Sequence, residues 1–539
     1  MKKIRVSALL LMLVMLFGMV AACGNEDGTT AATEGDSTTG SEETTEYVYK
    51  MPITDDTTTI SIWRSFSSTL VADPNEVSAN KSLEENTNVH VEWVCASTTS
   101  AQEQFNIMIV SQEYQDAIMA RVGNAQEPAY TGGVDKAIAD GVYIDVADYL
   151  QYAPTFVEYF ESNENIAKQC TTDGGAIFMN NVQSGEQPSW CGPMVRQDWL
   201  DELGMSTPET YDDWYNMLTA FKNDLGVSNA LFLSQDGYSS LANGLTAGYD
   251  TTGSFYNQDG TVKYGFIDEG FREYLTMINQ WYKEGLVDQD FYTRTGTDAQ
   301  TQFLQDKVGA MDMGVYTYAG LWPAMHPDDG VELVAVPFPT KTAGSEVHFR
   351  NFNEICGTTP IFPTTAAVED GNIETLMRWL DYRYADEGAF ICNYGTEGLT
   401  WEMGDDGLPH FNDFFLHNDE YTLSDMTTMH CDSTYGGYYM WIRENDQYTE
   451  EVLEGPQVWV DSSSGDWMMP PVTLTAEEAS EYATIYGDIE TYVNESVMQF
   501  ITGIRSLDEW DEYVSMVENM NIARCIEIYQ DALDRYNAR

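Results

Sequence analysis

The residues best suited to ligand chemistry in this sequence are aromatic and cationic side chains at the ends of predicted strands. Trp63 ends the apolar segment 58–63 and is followed by Arg64, and Arg121 follows the apolar segment 117–120. In open α/β sheets, ligands bind beyond the carboxyl ends of the strands. This placement predicts that the three side chains line a binding rim. The alternative is that they are ordinary loop residues.

Catalytic and metal-binding motifs do not stand out in the sequence. It contains no GxSxG, P-loop, GxGxxG or HExxH pattern, and no Cys/His spacing typical of zinc. We therefore predict no cofactor, no metal and no enzymatic activity. With 87 acidic residues, carboxylates that are neighbours in sequence do not identify a catalytic pair, so a glycoside hydrolase stays an alternative.

The N-terminus is typical of an exported protein that is tethered to a membrane. A cationic start, an apolar run over residues 6–20 and two alanines precede Cys23. Small residues before a cysteine resemble the lipobox of bacterial lipoproteins, which implies a signal peptide over 1–22 and a lipid on Cys23. The alternatives are an ordinary cleaved signal with an incidental cysteine, or an uncleaved anchor. Residues 23–56 are predicted to be a flexible acidic linker because 24–46 contain no large apolar residue.

The composition of the rest of the chain limits the partners. A formal net charge of -62 argues against nucleic acid, because binding to phosphates depends on Lys and Arg. Aromatic residues make up 13% of the chain, which indicates a folded body, and its length suits two or more lobes. Seven cysteines follow Cys23, and a disulfide such as Cys170–Cys191 is compatible with export but is not determined by the spacing.

The pattern of elements predicts an α/β fold. Segments 58–63, 89–94 and 117–120 read as strands separated by helices, which indicates a parallel sheet with right-handed crossovers. Residues 256–266 predict a hairpin turned at Asp259–Gly260. Capping boxes are predicted at three helix starts: Thr210 with Asp213, Thr475 with Glu478, and Ser506 with Glu509. The last two belong to a helical block over 475–539.

Several long segments resemble the family 1 extracellular solute-binding proteins of ABC importers, which include the maltodextrin-binding protein. The segments are VRQDWLDELGMSTPETYDDWYNMLTAFKND, YLTMINQWYKEGLVDQDF, FLQDKVGAMDMGVY, NYGTEGLTWEM and FITGIRSLDEWDEYVSMVENMNIARCIEIYQDALDRY. They are most similar to the LipO-like lipoprotein branch of Gram-positive bacteria. The resemblance runs from about residue 57 to the end of the chain.

The resemblance implies a periplasmic-binding-protein-like fold with two discontinuous lobes and a ligand cleft between them. We expect lobe 1 to comprise 57–185 and 350–400, and lobe 2 to comprise 186–349 and 401–539. The crossings between lobes are expected near 180–192, 346–360 and 400. Closure over the ligand would be a hinge motion that depends on tighter binding to the closed state.

The resemblance also implies further cleft residues. Tyr316 lies in GAMDMGVY, which is similar to the segment where the maltodextrin-binding protein carries a sugar-stacking tryptophan. Aromatic faces stack on sugar rings, and polar side chains bind the hydroxyls. For each aromatic residue the alternative is core packing, and Glu397 is alternatively a loop-fixing residue. The other expected cleft residues are Tyr318, Trp322, Trp190, Tyr394, Glu397 and Trp401.

These expectations lead to one main hypothesis. The chain is expected to be a monomeric receptor, lipid-anchored on the outer face of the cytoplasmic membrane, that delivers a carbohydrate to the permease of an ABC importer. Delivery of a peptide or another small metabolite is the alternative within the same role. A membrane-tethered hydrolase and a surface scaffold or adhesin are the alternatives from other classes.

Overall fold

Two four-stranded sheets organise the computed structural model. The fold described is that of the unit Tyr47–Arg539. In side-by-side order, the strands of the first sheet are Ile361–Pro363, Ala117–Met119, Thr58–Ser65 and Val89–Ala96, and those of the second are Leu333–Ala335, Cys191–Arg196, Val308–Gly314 and Asn229–Leu231. The structure describes residues 50–122, 128–184, 189–237, 239–296, 298–314, 332–350, 355–432 and 436–539.

Smaller strand pairs and many helices complete the fold. The paired strands are Trp401–Met403 with Pro409–Phe411, Tyr438–Tyr439 with Val182–Gln183, and Phe255–Gln258 with Thr261–Tyr264. The α-helices described are Ser78–Thr87, Ala101–Ser111, Gly133–Ala139, Pro154–Ser162, Glu164–Gln169, Gln197–Leu203, Tyr211–Asn223, Glu269–Lys283, Asp298–Leu304, Thr365–Glu369, Ile373–Tyr382, Asp386–Tyr394, Asp413–Leu416, Leu423–His430, Glu444–Gln447, Glu450–Asp461, Ala476–Thr502, Trp510–Asn519 and Ile522–Ala538.

The first sheet has the predicted parallel centre. The strand Thr58–Ser65 pairs in parallel with Val89–Ala96 and with Ala117–Met119, and the returning strand Ile361–Pro363 is antiparallel at the edge. The second sheet is mixed, because Val308–Gly314 pairs in parallel with one neighbour and antiparallel with the other. Helices cover both faces of each sheet, and each sheet therefore has its own core. We refer to the parts packed around the first and second sheets as the first and second lobes.

The local signals confirm most of the predicted element boundaries. Thr210 and Asp213 form the reciprocal capping box that begins a helix, and Thr475 does the same with Glu478. The hairpin turns at Asp259–Gly260, where both residues have positive φ. The capping box predicted for Ser506 with Glu509 is wrong. The hydroxyl of Ser506 instead accepts a hydrogen bond from the N–H of Asp508, at the start of a short 3-10 helix.

The chain returns to the second lobe well after residue 400, where the third crossing is expected. Residues 401–440 share a small core with the helix Asp386–Tyr394, on the first-lobe side of the expected boundary at residue 400. The helix Glu450–Asp461 packs instead on the second sheet, where Trp459 is buried against Gly192. The third passage therefore lies between residues 440 and 450.

The C-terminal helices pack on the second lobe and also contact the first. Residues of Ala476–Thr502 and Ile522–Ala538 contribute to the largest core cluster, with the helix Glu269–Lys283. At the other end of the block, Arg535 and Arg539 both pair with Asp173 of the first lobe, whose side chain is 2% exposed. The helical block thus connects the two lobes on one side.

Candidate functional site

A cavity of about 240 Å³ lies at the carboxyl end of the second sheet. Strand ends, a glycine-rich loop and two returning segments form its walls. Its size approaches that of small-molecule sites, which are about 300–1,000 Å³. The residues that determine its chemistry are Cys191, Asn243, Gly244, Asp312, Phe338, Phe349, Arg350 and Met468.

Asp312 is held in the cavity wall by a strand buried along its whole length. The strand Val308–Gly314 lies between two neighbours of the second sheet, and Asp312 faces Pro193 across the ladder. The backbone N–H of Gly244 donates a hydrogen bond to the Asp312 carboxylate. A Cβ on Gly244 would lie 2.7 Å from that carboxylate and 3.0 Å from the ring of Phe338, so the close approach requires glycine.

Burial makes Asp312 an unusual carboxyl group. Removal from water raises its pKa to about 7, although the Gly244 hydrogen bond acts in the opposite direction. Near neutral pH the group therefore exists in both forms. In its neutral form it can donate a hydrogen bond to a ligand oxygen, and in its charged form it can accept one from a hydroxyl.

Arg350 lines the same cavity from a returning segment. The chain around residue 348 pairs with the loop 463–467, since the N–H of Ser464 donates to the carbonyl of Val347 at 2.8 Å. Arg350 donates from Nη1 to the carbonyl of Ser463 at 2.8 Å. Its Nε is buried and has no hydrogen-bond partner among the described residues. Burial lowers the pKa of Arg350.

A second cavity of about 280 Å³ lies between the lobes. First-lobe residues such as Asn180 and Thr358 face the segment 469–473 and Tyr529 across it. Asp173 stands beside this cavity and accepts hydrogen bonds from Arg535 at 2.7 Å and from Thr473 at 3.0 Å. These contacts join the C-terminal helices to the first lobe at the edge of the cavity.

Two side-chain clusters of the described residues could do other chemistry. The ligand atoms of Glu346, His348 and Asp466 lie within 4.8 Å of one another, a spacing that could hold a metal ion. His348 also stacks on Trp467 with ring centroids 3.9 Å apart. Among the described cysteines, the sulfur atoms of Cys170 and Cys356 lie 4.0 Å apart.

The structure places three of the predicted aromatic ligand residues in hydrophobic cores. Trp63 is 3% exposed and packs edge-on against Phe105. Tyr394 and Trp401 belong to the small core that joins residues 401–440 to the helix Asp386–Tyr394. Their apolar surface is therefore occupied by protein neighbours, which is the packing alternative considered for each.

The predicted charged residues lie in different environments. Arg64 is 4% exposed and pairs with Asp432 at 3.4 Å, so it is a structural cation of the first lobe. Arg121 is half-buried after the strand Ala117–Met119, and Glu397 is exposed in a turn that precedes Trp401.

Trp190 is, among the predicted ligand residues that the structure describes, a direct neighbour in sequence of the first cavity's lining. It is half-buried and directly precedes Cys191, which lines the cavity wall. Tyr316 follows Asp312 by four residues, but it lies outside the described residues, as do Tyr318, Trp322 and Cys23. Sequence reasoning missed Asp312 and Arg350; a lone carboxylate inside the apolar segment GAMDMG was the available signal for the first.

Curated relatives match the chain over much of its length, whereas no protein-family profile matches it. The fructooligosaccharide ABC transporter substrate-binding protein FusA of Streptococcus pneumoniae serotype 4 is 22% identical over 86% of this chain and 88% of its own. Lipoprotein LipO of Bacillus subtilis is 21% identical over 60% and 64% of the two chains. The polygalacturonan/rhamnogalacturonan-binding protein YtcQ of Bacillus subtilis is 21% identical over 51% and 54%.

Solved structures match the fold. The alginate-binding protein AlgQ2 without calcium ion superimposes with a TM-score of 0.70 at 23% identity, covering 89% of this chain and 99% of that one. An HMO-binding, ABC-transporter-associated solute-binding protein from Bifidobacterium longum infantis gives 0.73 at 16% identity, with the same coverage. The relatives and structural neighbours are binding proteins rather than enzymes.

Within the described part of the chain, no helix has the length and apolar character needed to cross a membrane. The α/β architecture with two lobes matches that of the solved solute-binding proteins, as predicted. The chain is thus a relative of the substrate-binding proteins of ABC transporters and shares the fold of the solute-binding proteins, which confirms the resemblance drawn from its motifs.

Proposed function

We propose that this chain is the extracellular receptor of a carbohydrate importer. It captures an oligosaccharide at the cavity beside Asp312 and presents it to the permease of an ABC transporter. The observation that carries the proposal is the polar cavity at the strand ends of the second sheet, in a chain whose relatives are named for binding fructooligosaccharide and polygalacturonan. Cys23, through its lipid, keeps the receptor at the outer face of the membrane.

The cavity favours binding over hydrolysis. Glycoside hydrolysis in most families needs two carboxyl groups, about 5–10 Å apart, on either side of the scissile bond. Among the described residues that line this cavity, Asp312 alone carries a carboxyl group. The remaining lining includes the guanidinium of Arg350, the thiol of Cys191, an amide, hydroxyls, glycines and apolar side chains, which can hold and orient a sugar.

The experiment that tests this function is a thermal-shift screen of the purified full-length chain in detergent. The panel contains neutral and acidic oligosaccharides, monosaccharides, short peptides and amino acids. A ligand at 100 times its dissociation constant stabilises the fold by about 2.7 kcal/mol, which raises the melting temperature measurably. We expect a shift with one oligosaccharide series, and the same sugar should be recovered intact by chromatography.

Other outcomes of this screen would contradict the proposal. A shift with peptides alone would replace the ligand class and keep the receptor role. Recovery of shortened sugars would favour a hydrolase. No shift with any compound would favour a scaffold without a small ligand.

A further inference from the structure

We propose that the captured oligosaccharide is acidic and that Arg350 binds the carboxylate of a uronate unit. This inference rests on the proposed function and specifies its substrate class. The evidence lies in the partners of Arg350, in the charge balance of the chain and in the other polar groups of the cavity.

Arg350 is half-buried and, unlike Arg196 and Arg294 of the same lobe, has no acidic partner among the described residues. Arg196 pairs with Asp198 at 2.5 Å and with Asp306 at 2.7 Å, and Arg294 pairs with Asp288 at 2.8 Å. Arg350 contacts a backbone carbonyl instead, and it forms no ion pair with a carboxylate of the described residues. A guanidinium without an anion is costly to bury, so an anion supplied by the ligand would stabilise this arrangement.

The scarcity of basic residues makes this placement specific. The sequence has 87 acidic residues and only 25 Lys and Arg, so acidic side chains that could neutralise a cation are abundant. Arg350 nevertheless lines a cavity whose one carboxyl group among the described lining residues, that of Asp312, forms no ion pair with it. A planar guanidinium forms two parallel hydrogen bonds with a carboxylate, which makes it well suited to a uronate.

The opposite part of the cavity accommodates the rest of a sugar acid. Asp312 and the side chains of Ser240, Asn243 and Thr246 offer hydrogen-bonding groups for hydroxyls. Because burial favours the protonated form of Asp312, this carboxyl repels an anionic ligand less than an exposed aspartate would.

Binding measured by calorimetry on the purified full-length chain in detergent tests the inference. The probes are trigalacturonate, trimannuronate, the uncharged methyl ester of trigalacturonate, a neutral fructotrisaccharide and a sulfated trisaccharide. We expect at least one uronate to bind, and its methyl ester to bind at least tenfold more weakly. The Arg350→Gln variant should weaken uronate binding by about tenfold to a hundredfold, the range for a hydrogen bond to a charged group.

Matched variants separate recognition from folding. Arg350→Lys keeps the charge but loses the planar pair of donors, so it should bind the uronate with intermediate affinity. Arg272→Gln removes an exposed arginine of the same lobe and should leave the affinity unchanged. The melting temperature of each unliganded variant shows whether the fold persists.

Each remaining outcome decides against the inference. Binding of the neutral trisaccharide with no uronate binding would overturn it and leave the proposed function standing. Binding of the sulfated sugar alone would replace the carboxylate by a sulfate ester. Equal uronate affinity in Arg350→Gln would remove Arg350 from recognition, and no binding of any sugar would reject both proposals.

Discussion

The buried acidic side chains at the carboxyl ends of the two main sheets have different partners. At the end of the first sheet, Arg64 and Arg383 both lie against Asp432, at 3.4 Å and 3.3 Å, and all three side chains are nearly enclosed. At the end of the second sheet, Asp312 faces a cavity with only a backbone N–H as its described hydrogen-bond donor. In the first arrangement two guanidinium groups share one carboxylate, and in the second the carboxyl group has no cationic partner among the described residues.

This difference indicates that Asp432 has a structural role, whereas Asp312 is suited to binding a ligand. Buried ion pairs whose hydrogen bonds are satisfied fix the packing of the elements they join. A buried carboxyl with a strongly shifted pKa beside a cavity is typical of a functional site. The contrast indicates that the second lobe provides the polar floor for the ligand, whereas Arg64 at the equivalent edge of the first lobe is paired with Asp432.

The largest expected loss of stability comes from removing Asp432, the carboxylate that Arg64 and Arg383 share. Asp432→Ala leaves Arg64 and Arg383 without their shared carboxylate, and the loss of one partner from a buried pair lowers the free energy of unfolding by about 3–5 kcal/mol. Urea denaturation followed by circular dichroism measures this change. Ligand affinity, measured under conditions where the variant is folded, should stay at the wild-type value.

An exposed ion pair gives the control. Glu269→Ala removes the partner of Arg272 on the surface of the second lobe, and exposed pairs contribute less than about 1 kcal/mol. A stability loss of similar size in both variants would show that the Asp432 group is not specially buried. A loss of ligand affinity in Asp432→Ala would return Arg64 to the binding site.

The strand ends themselves were predictable from sequence, but the roles of their side chains were not. Alternating apolar segments identified the strand Thr58–Ser65, and the edge beyond Trp63 followed from its direction. The partner of Arg64 lies 368 residues away, so no local pattern could show that Asp432 encloses it. Local capping signals such as Thr210 succeeded because both partners lie within one helical turn.

The cavity was missed for a related physical reason. Asp312 depends on Gly244 and Phe338, which the chain brings together from separate loops. Arg350 carries no local signal in HFRNF, since its distinguishing property is the lack of a carboxylate after folding. Aromatic residues such as Trp401 suit both a sugar surface and a core, and only packing distinguishes the two.

A smaller effect is expected from the pH dependence of Asp312. Because its pKa is raised to about 7 in the folded protein, the native state keeps this proton while the unfolded state loses it near pH 4. Its contribution to stability is therefore full below about pH 4 and is lost as the pH rises to 7. Asp312→Asn should stabilise the protein at pH 8 by at most about 4 kcal/mol relative to wild type, measured by urea denaturation at pH 4 to 8.

Asp381 of the first lobe provides the internal comparison. Burial also raises the pKa of Asp381, to about 6, and its carboxylate accepts a hydrogen bond from the N–H of Phe156 at 2.8 Å. The Asp312→Asn variant should therefore keep a reduced fall in stability between pH 4 and 6. An unchanged profile would mean that Asp312 is ionised in the folded protein, and the contrast between the two sheet edges would lose its electrostatic basis.

The smallest of the three changes in stability should follow from adding a side chain at Gly244. In Gly244→Ala the added Cβ would meet the Asp312 carboxylate at 2.7 Å, and such overpacking lowers the free energy of unfolding by about 1–3 kcal/mol. Gly487→Ala is the matched control, because its Cβ would meet no atom within 4 Å in the helix Ala476–Thr502, and it should stabilise by about 0.5–1 kcal/mol. Ligand affinity should fall in Gly244→Ala alone, because displacing Asp312 alters the cavity floor.

Wild-type affinity in Gly244→Ala would mean that the ligand does not contact the cavity floor beside Asp312. The binding site would then have to lie in the interlobe cavity beside Asn180 and Tyr529.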